Sequence, residues 1–176
     1  VLHLADEIEI HRTPLQVELL DEAAGRDPDF KVVHLSRNFG HQAALTAVVD
    51  RAAGEFVVVM DGDLQDPPEV ILEMVEKARQ GADVVLARRR TRAGETSFKL
   101  LTARLFYWLM RFLTGQFIPE NVGDFRLMNR RSLDALKSLR ERHRFLRGMV
   151  AWIGFRQEVV EYDRLPRVAG ETKFPL

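Results

Sequence analysis

The sequence predicts an α/β fold: a mostly parallel sheet with helices on both faces. Strand-like and helical segments alternate through the first half and are joined by short polar links, as in right-handed β–α–β crossovers. The segment "FVVVM" (56–60) is apolar on both faces, like strands inside parallel sheets. With 176 residues, no cysteine and a net charge of zero, the chain fits one domain, excludes disulfides and gives no indication of nucleic-acid binding.

The elements follow in order after a segment, 1–12, that fits no clear element. Thr13 is the expected N-cap of a helix (14–24), with Pro14 at its first position and Gln16 completing a capping box; Gly25 ends it. The remaining predicted elements are a strand (31–35), a helix (42–54), a strand (56–60), a helix from Pro67 to Gly81, a strand (82–87), a basic loop, a long helix (98–114), an irregular segment, two shorter helices and a last strand (156–163).

Three carboxylates form an acidic loop directly after the strand 56–60: Asp61, Asp63 and Asp66. Ligands of open parallel sheets bind outside the carboxyl ends of the strands. Asp61 and Asp63 repel each other there unless a cation intervenes, and Mg²⁺ or Mn²⁺ held jointly with phosphate oxygens fits. Gln65 could add a neutral oxygen. The alternative for these aspartates is helix capping, which we assign to Asp66.

Four motifs in the same order resemble one enzyme family. "DGDLQDPPE" (61–69) resembles the metal-binding signature of family 2 glycosyltransferases with the Rossmann-like GT-A fold. "SRNFGHQAAL" (36–45), "GDFRLMNRR" (123–131) and "GETKFPL" (170–176) resemble its polyprenyl-phosphate glycosyltransferase branch, which includes dolichyl-phosphate mannose synthase. The resemblance implies a partial GT-A domain over 31–176, preceded by an atypical N-terminal segment (1–30).

The resemblance also implies an activity. A sugar would pass from a nucleoside-diphosphate sugar to a polyprenyl phosphate at the cytoplasmic face of the membrane, in a metal-dependent reaction. Asp61, Asp63 and Gln65 would hold Mg²⁺ or Mn²⁺ on the donor diphosphate, and Arg37 and Asn38 fit a donor-side loop. A phosphate acceptor is already anionic and needs no strong base. Neither a nucleophile elbow nor a cysteine indicates a covalent intermediate, which leaves a direct, inverting displacement.

Several basic residues are candidates for the acceptor phosphate. The resemblance places Arg126 on the acceptor side with Asp124 as its orienting partner; a buried structural ion pair is the alternative. Within "ARRRTR" (87–92), Arg88 and Arg90 follow a strand end and are phosphate candidates, or parts of a solvated loop. Two residues near the terminal motif would close over the phosphates, namely Arg167 and Lys173. The five histidines lack metal-ligand spacing and are expected to be structural or exposed.

The predicted helix 98–114 carries a wide apolar and aromatic face opposite a basic one. Such a helix either covers the sheet or lies in a membrane interface. The sequence pattern leaves both possibilities open.

The chain departs from the family pattern at its start. The family's first two strands, with a Pro-Tyr-Asn-Glu motif and a base-recognising aspartate pair, are missing, and the chain resembles a fragment truncated at both ends. An open sheet edge at 31–35 would favour self-association. Two alternative functions remain: a polysaccharide-type family 2 enzyme with a hydroxyl acceptor and Asp124 as base, or a non-catalytic domain that binds membrane or a partner protein through 98–114.

Overall fold

The computed structural model describes residues 3–4, 14–63, 65–90, 122–141 and 144–165. These residues form five strands and five helices. The strands are β1 (His3–Leu4), β2 (Phe56–Val59), β3 (Val84–Arg89), β4 (Val122–Asn129) and β5 (Gln157–Tyr162). The helices are α1 (Pro14–Arg26), α2 (His41–Arg51), α3 (Val70–Arg79), α4 (Arg130–Ser138) and α5 (Leu146–Trp152). The long helix expected at 98–114 and the motif at 170–176 lie outside the described residues.

The five strands form one mixed sheet in the order β1-β2-β4-β3-β5. β1 and β2 pair in parallel, as do β3 and β5, whereas β4 is antiparallel to both of its neighbours. Four strands therefore point one way, which confirms the α/β class. The irregular segment expected before the two short helices is wrong in part, because it contains β4, a central strand. Two charged residues at buried positions, Asp124 and Arg126, had hidden its apolar pattern.

The predicted strand at 31–35 is absent. That segment forms no helix or strand, while β1 pairs with β2, with His3 opposite Val57 and Leu4 opposite Val58. A strand exists only through pairing, and the described chain offers this segment no sheet neighbour. The ring of His34 instead lies 2.8 Å from a carboxylate oxygen of Asp21 on α1.

The core has two layers, one on each face of the sheet, which confirms the helices expected on both faces. Alternating strand residues point to opposite faces. One layer packs α2, α4 and α5 against the sheet; the other packs α3 against it. Leu133 of α4 and Met74 of α3 are completely buried, one in each layer. Each side chain of this size stabilises the fold by roughly 1.5–3 kcal/mol.

The antiparallel strand assembles the candidate site. The carboxyl ends of β2, β3 and β5 lie at the same end of the sheet as the beginning of β4. The pairing of Val59 with Arg126 brings Asp124, two residues earlier on β4, level with the acidic loop that follows β2. The acidic loop and the "GDFRLM" motif are far apart in the chain, with Asp124 lying 63 positions after Asp61, but they meet in space.

Candidate active site

Asp61 lies in a strongly negative environment at the end of β2. Burial raises the pKa of its carboxyl, and the negative charges of Asp66, Asp124 and Asp63 raise it further, while His41 acts in the opposite direction. Repulsion among carboxylates is the condition that a bound cation relieves. The structure therefore brings the predicted metal-binding aspartates together at one place.

Asp63 and Gln65 tie the acidic loop to the segment after β5. Asp63 accepts a hydrogen bond from the backbone N–H of Gln65 at 3.0 Å, and its other oxygen lies 3.6 Å from Arg164. The Gln65 side chain donates to the carbonyl of Leu165 at 3.3 Å, and the backbone N–H of Leu165 donates back to the Gln65 carbonyl. The loop is thus held to this one segment at two successive residues, Arg164 and Leu165.

Asp66 is not the helix cap that its position suggested. α3 begins at Val70, and its N-cap residue, Glu69, makes no side-chain cap. The buried carboxylate of Asp66 accepts a hydrogen bond from the hydroxyl of Tyr162, and within the described ranges its second oxygen has no hydrogen-bond partner. The two prolines lie in a turn, and the helix begins three residues later than predicted. Asp66 is therefore not next to the first helical residue, and its side chain is buried in the core.

The three consecutive arginines at the end of β3 point in alternating directions. Arg88 pairs with Glu161, and Arg90 donates to Asp163 at 2.9 Å; both arginines are exposed. Arg89 faces the other side, where its Nε donates to the Tyr162 hydroxyl at 3.0 Å. The assignment of Arg88 and Arg90 to the acceptor phosphate stays a prediction, but of these three arginines it is Arg89 that contacts the acidic loop.

Arg89, Tyr162 and Asp66 form the Asp66 cluster. The guanidinium of Arg89 lies 3.6 Å from the Asp66 carboxylate and also passes close to Gly123, where an added Cβ would sit 3.1 Å from Nη2. A side chain larger than hydrogen at that position would displace the guanidinium. Gly123 therefore leaves room for the position that the Arg89 guanidinium takes.

Asp124 is the centre of a second group, the Asp124 cluster, which comprises His41, Asp124, Arg126 and Arg147. Oδ1 of Asp124 accepts from Arg126 Nη2 at 2.8 Å, and Oδ2 accepts from His41 Nε2 at 3.1 Å and from Arg147 Nη2 at 3.3 Å. Both carboxylate oxygens are thereby engaged. The predicted pair of Asp124 and Arg126 is present, and two residues that the sequence had not indicated join it.

Burial and charge act against each other in this cluster. Burial alone would raise the pKa of Asp124, but the His41 hydrogen bond and the charges of Arg126 and Arg147 lower it to about 2. Burial lowers the pKa of Arg126 to about 10, with Arg147 contributing, although Asp124 opposes the change. Both groups are therefore ionised at neutral pH.

The donor-side loop is exposed. Arg37 stacks its guanidinium over the ring of Phe39 at 4.1 Å, and the Asn38 side chain accepts from the backbone N–H of Gly40 at 2.9 Å. These local contacts shape the turn that leads into α2. The assignment of Arg37 and Asn38 to the donor stays a prediction. Arg167 and Lys173 lie outside the described residues.

The carboxylates fit a divalent ion by charge and by donor type. Among the described residues, no three His, Cys, Asp or Glu side chains are already arranged as a ligand cage. Mg²⁺ sites that hold phosphorylated substrates commonly use only one or two carboxylates and complete the shell with phosphate oxygens and water. Asp61, whose carboxyl has a raised pKa among neighbouring carboxylates, is a group that a cation would stabilise.

An α/β sheet with clustered carboxylates and arginines at the carboxyl ends of its strands is typical of domains that bind phosphorylated ligands. The model of the family described as "Glycosyl transferase family 2" matches residues 13–137. The chain therefore belongs to glycosyl transferase family 2. The family resemblance seen in the motifs is confirmed.

The chain is also similar in sequence to several named bacterial and phage glycosyltransferases. The chain is 53% identical over 160 residues to the "Uncharacterized glycosyltransferase YkcC" of Bacillus subtilis, covering 91% of this chain and 50% of that protein. It is 42% identical to the "Prophage bactoprenol glucosyl transferase homolog" of Escherichia coli and 44% identical to the "Bactoprenol glucosyl transferase" of Shigella phage SfV; each match covers 89% of this chain and 51% of the relative. The chain spans about half the length of these relatives.

Solved structures support the fold. S. aureus TarS 1–349 aligns with a TM-score of 0.54 at 18% identity, covering 88% of this chain and 48% of that one. The bifunctional IspDF of Campylobacter jejuni aligns with a TM-score of 0.51 at 9% identity, covering 82% and 35%. At such identities the likeness concerns the fold alone. Within the described ranges, no helix has the length and apolar character needed to cross a bilayer.

Proposed function

We propose that this domain transfers a sugar from a nucleoside-diphosphate sugar to a polyprenyl phosphate, in a metal-dependent and inverting reaction at the cytoplasmic face of a membrane. The observation that carries this proposal is that the acidic loop and the Asp124 cluster lie together at one end of the strands. The negative charge of Asp124 is one of the causes that raise the pKa of Asp61. The acidic side suits a metal-bound donor diphosphate, and the basic side suits an anionic acceptor. Relatives named bactoprenol glucosyl transferase support the lipid acceptor.

The acidic loop is the donor half of the proposed site. Asp61 and Asp63 would hold Mg²⁺ or Mn²⁺, with Gln65 beside them, and the bound ion would neutralise charge on the departing diphosphate. The tie between Gln65 and Leu165 fixes the loop before the substrate arrives. This preorganisation lowers the cost of arranging the donor for reaction.

The acceptor half favours a phosphate over a hydroxyl. An oxygen of the acceptor phosphate would form a bond to the anomeric carbon while the bond from that carbon to the diphosphate oxygen breaks, which inverts the configuration. A hydroxyl acceptor needs a proton acceptor whose pKa is near the working pH. Asp124 has a pKa of about 2, and both of its oxygens already accept hydrogen bonds, so it is poorly suited to that role. This weakens the polysaccharide-type alternative.

Metal-dependent nucleotide binding tests the donor half. We expect Asp63→Asn to lose most of the Mn²⁺-stimulated binding of a nucleoside diphosphate, because one of two metal-binding charges disappears. Isothermal titration with UDP and GDP sugars, with and without Mn²⁺, measures the effect. Glu73→Gln, which removes an exposed carboxylate on α3, is the matched control and should bind like the unchanged protein.

Equal nucleotide binding by Asp63→Asn and by the unchanged protein would contradict the metal assignment. Absence of nucleotide binding in the unchanged protein, with or without Mn²⁺, would instead favour a non-catalytic domain. Lipid-acceptor assays with the full-length protein then separate polyprenyl phosphate from hydroxyl acceptors.

A further inference from the structure

Arg126 is placed too deep to meet a ligand that arrives from solvent. Its side chain is 1% exposed, and two of its nitrogens are engaged within β4 itself. Nε donates to the carbonyl of Asp124 at 3.1 Å, and Nη2 donates to the carbonyl of Gly123 and to the Asp124 carboxylate. Nη1 is buried and has no hydrogen-bond partner among the residues that the structure describes. These contacts describe a residue that fixes the start of β4.

The space next to Arg126 is not suited to a phosphate. Arg126 and Arg147 line a small cavity between the sheet and α5. Its other lining residues are Leu86, Val122, Val150, Ala151 and Gln157. Walls that are mostly apolar make the transfer of a doubly charged phosphate from water costly. An acceptor phosphate is therefore better held on the solvent side of the cluster.

Arg147 is the arginine of the Asp124 cluster that reaches solvent. Its side chain is 38% exposed, and it contacts Oδ2 of Asp124 through Nη2 at 3.3 Å, the longest of the three contacts to that carboxylate. An exposed guanidinium that is held by one long ion-pair contact can rearrange to bind an incoming anion.

The charge balance of the cluster also calls for an anion. One carboxylate, Asp124, faces two guanidinium groups, Arg126 and Arg147, so these three side chains carry one net positive charge; the nearby Asp61 carboxylate, which interacts with Asp124 and His41, would be neutralised by the proposed metal ion. His41 shares Oδ2 with Arg147 and fixes the carboxylate from α2. A phosphate next to Arg147 would offset the excess charge.

We propose that Arg147 binds the acceptor phosphate directly, and that Arg126 and His41 position it through Asp124. This inference rests on the proposed function, since it names the contact group within the same acceptor half. It moves the direct phosphate contact from β4 to the first turn of α5, and it leaves Arg126 with a positioning role.

Kinetics of Arg147 variants in the full-length protein test this inference. We expect Arg147→Ala to raise the KM for a short-chain polyprenyl phosphate about 10- to 100-fold, the range of a lost charge-assisted hydrogen bond. Nucleotide binding in the presence of Mn²⁺ should stay within about twofold. Arg147→Lys should recover part of the loss, because it restores the charge without the planar fork. Arg156→Ala, which removes an exposed arginine paired with Glu158, is the control.

The outcomes distinguish a failure of the proposed function from a failure of the role proposed for Arg147. A full-length protein that does not glycosylate polyprenyl phosphate would contradict the proposed function. A protein that does, but whose Arg147→Ala variant keeps the KM for the acceptor within twofold, would overturn the role of Arg147 alone. Equal losses of acceptor use and nucleotide binding, or a loss that Arg147→Lys does not reduce, would also overturn it. Arg126→Lys should lower the melting temperature more than Arg147→Ala does, as befits a buried positioning residue.

Discussion

Tyr162 links the end of β5 to the acidic loop through one hydroxyl group. It donates to Asp66 and accepts from Arg89, and its ring packs edge-on against Phe125 at a centroid distance of 5.6 Å. Burial raises the pKa of the phenol to about 12, and Asp66 contributes in the same direction. The hydroxyl therefore stays protonated at neutral pH and continues to donate to the carboxylate.

Removal of this hydroxyl isolates its contribution, because the ring packing remains. We expect Tyr162→Phe to lower the free energy of unfolding by about 1–3 kcal/mol, since Asp66 would lose the donor to its one satisfied oxygen. Urea unfolding measures the change. Ser138→Ala, which removes an exposed hydroxyl on α4, should change stability by less than about 0.5 kcal/mol. Equal stability of both variants would show that the Asp66 carboxylate is satisfied in another way.

At the residue scale, the sequence predicted some partners and concealed others. The pair of Asp124 and Arg126 lies two positions apart on one strand, so a local motif could reveal it. His41 and Arg147 reach Asp124 from 83 and 23 residues away, a proximity that no local pattern encodes. Arg89 was missed for a different reason: strand alternation decides which of three adjacent arginines faces the loop, and the predicted strand ended at residue 87.

At the element scale, Asp83 joins the beginning of β3 to its surroundings. Its buried carboxylate accepts from Asn129 at 2.8 Å, from Arg131 at 2.7 and 2.8 Å, and from the backbone N–H of Arg156 at 3.2 Å. The end of β4, the first turn of α4 and the segment before β5 thus meet at one side chain. Burial acts to raise the pKa of Asp83, but these donors outweigh it and lower the pKa below its ordinary value.

A lowered pKa gives Asp83 a pH-dependent share in stability. Because its folded-state pKa is below the unfolded value, its contribution is fully present above about pH 4 and is lost as pH falls through the folded pKa. We expect Asp83→Asn to lower the free energy of unfolding at pH 7 by about 1–2 kcal/mol, toward the low end because Arg131 is 71% exposed. The difference from the unchanged protein should shrink between pH 4 and lower values.

Urea midpoints of both proteins from pH 7 down to pH 3 measure this dependence. Asp134→Asn, an exposed carboxylate paired with Arg130 within α4, provides the matched control. A difference for Asp83→Asn that is the same at every pH would contradict the ionic account and leave only hydrogen-bond geometry.

Element prediction succeeded where apolar periodicity was clean. β2, α3 and β3 follow apolar runs or faces that end at glycine or at polar links, and each was predicted within a few residues. β4 was missed because its buried face holds an ion pair in place of two apolar residues. The segment 31–35 was overpredicted because its composition suits a strand, whereas pairing is a property of the whole sheet.

At the scale of the whole molecule, the family motifs predicted more than the local patterns did. They anticipated that residues 61–63 and 124–126 share a site, and the sheet register brings the two segments level. The division at residue 30 stays a prediction; the family match begins at residue 13 and includes α1. The open sheet edge was expected at 31–35, but that segment forms no strand. β2 is instead next to the edge strand β1, which pairs with only part of it.

That edge carries the last prediction. Among the described residues, β1 pairs with only two of the four residues of β2, namely Val57 and Val58. Removal of residues 1–4 deletes β1 and exposes backbone donors and acceptors along an apolar strand, which another chain can pair with. We therefore expect the shortened chain to self-associate more than the unchanged chain at the same concentration. We also expect the shortened chain to have a lower melting temperature. Light scattering over a concentration series and thermal melts measure both effects.

A chain that lacks only residues 1–2 retains β1 and should behave like the unchanged protein. If the chain without residues 1–4 stays monodisperse and melts at the same temperature, β1 does not protect this edge, and the self-association expected from the sheet is wrong.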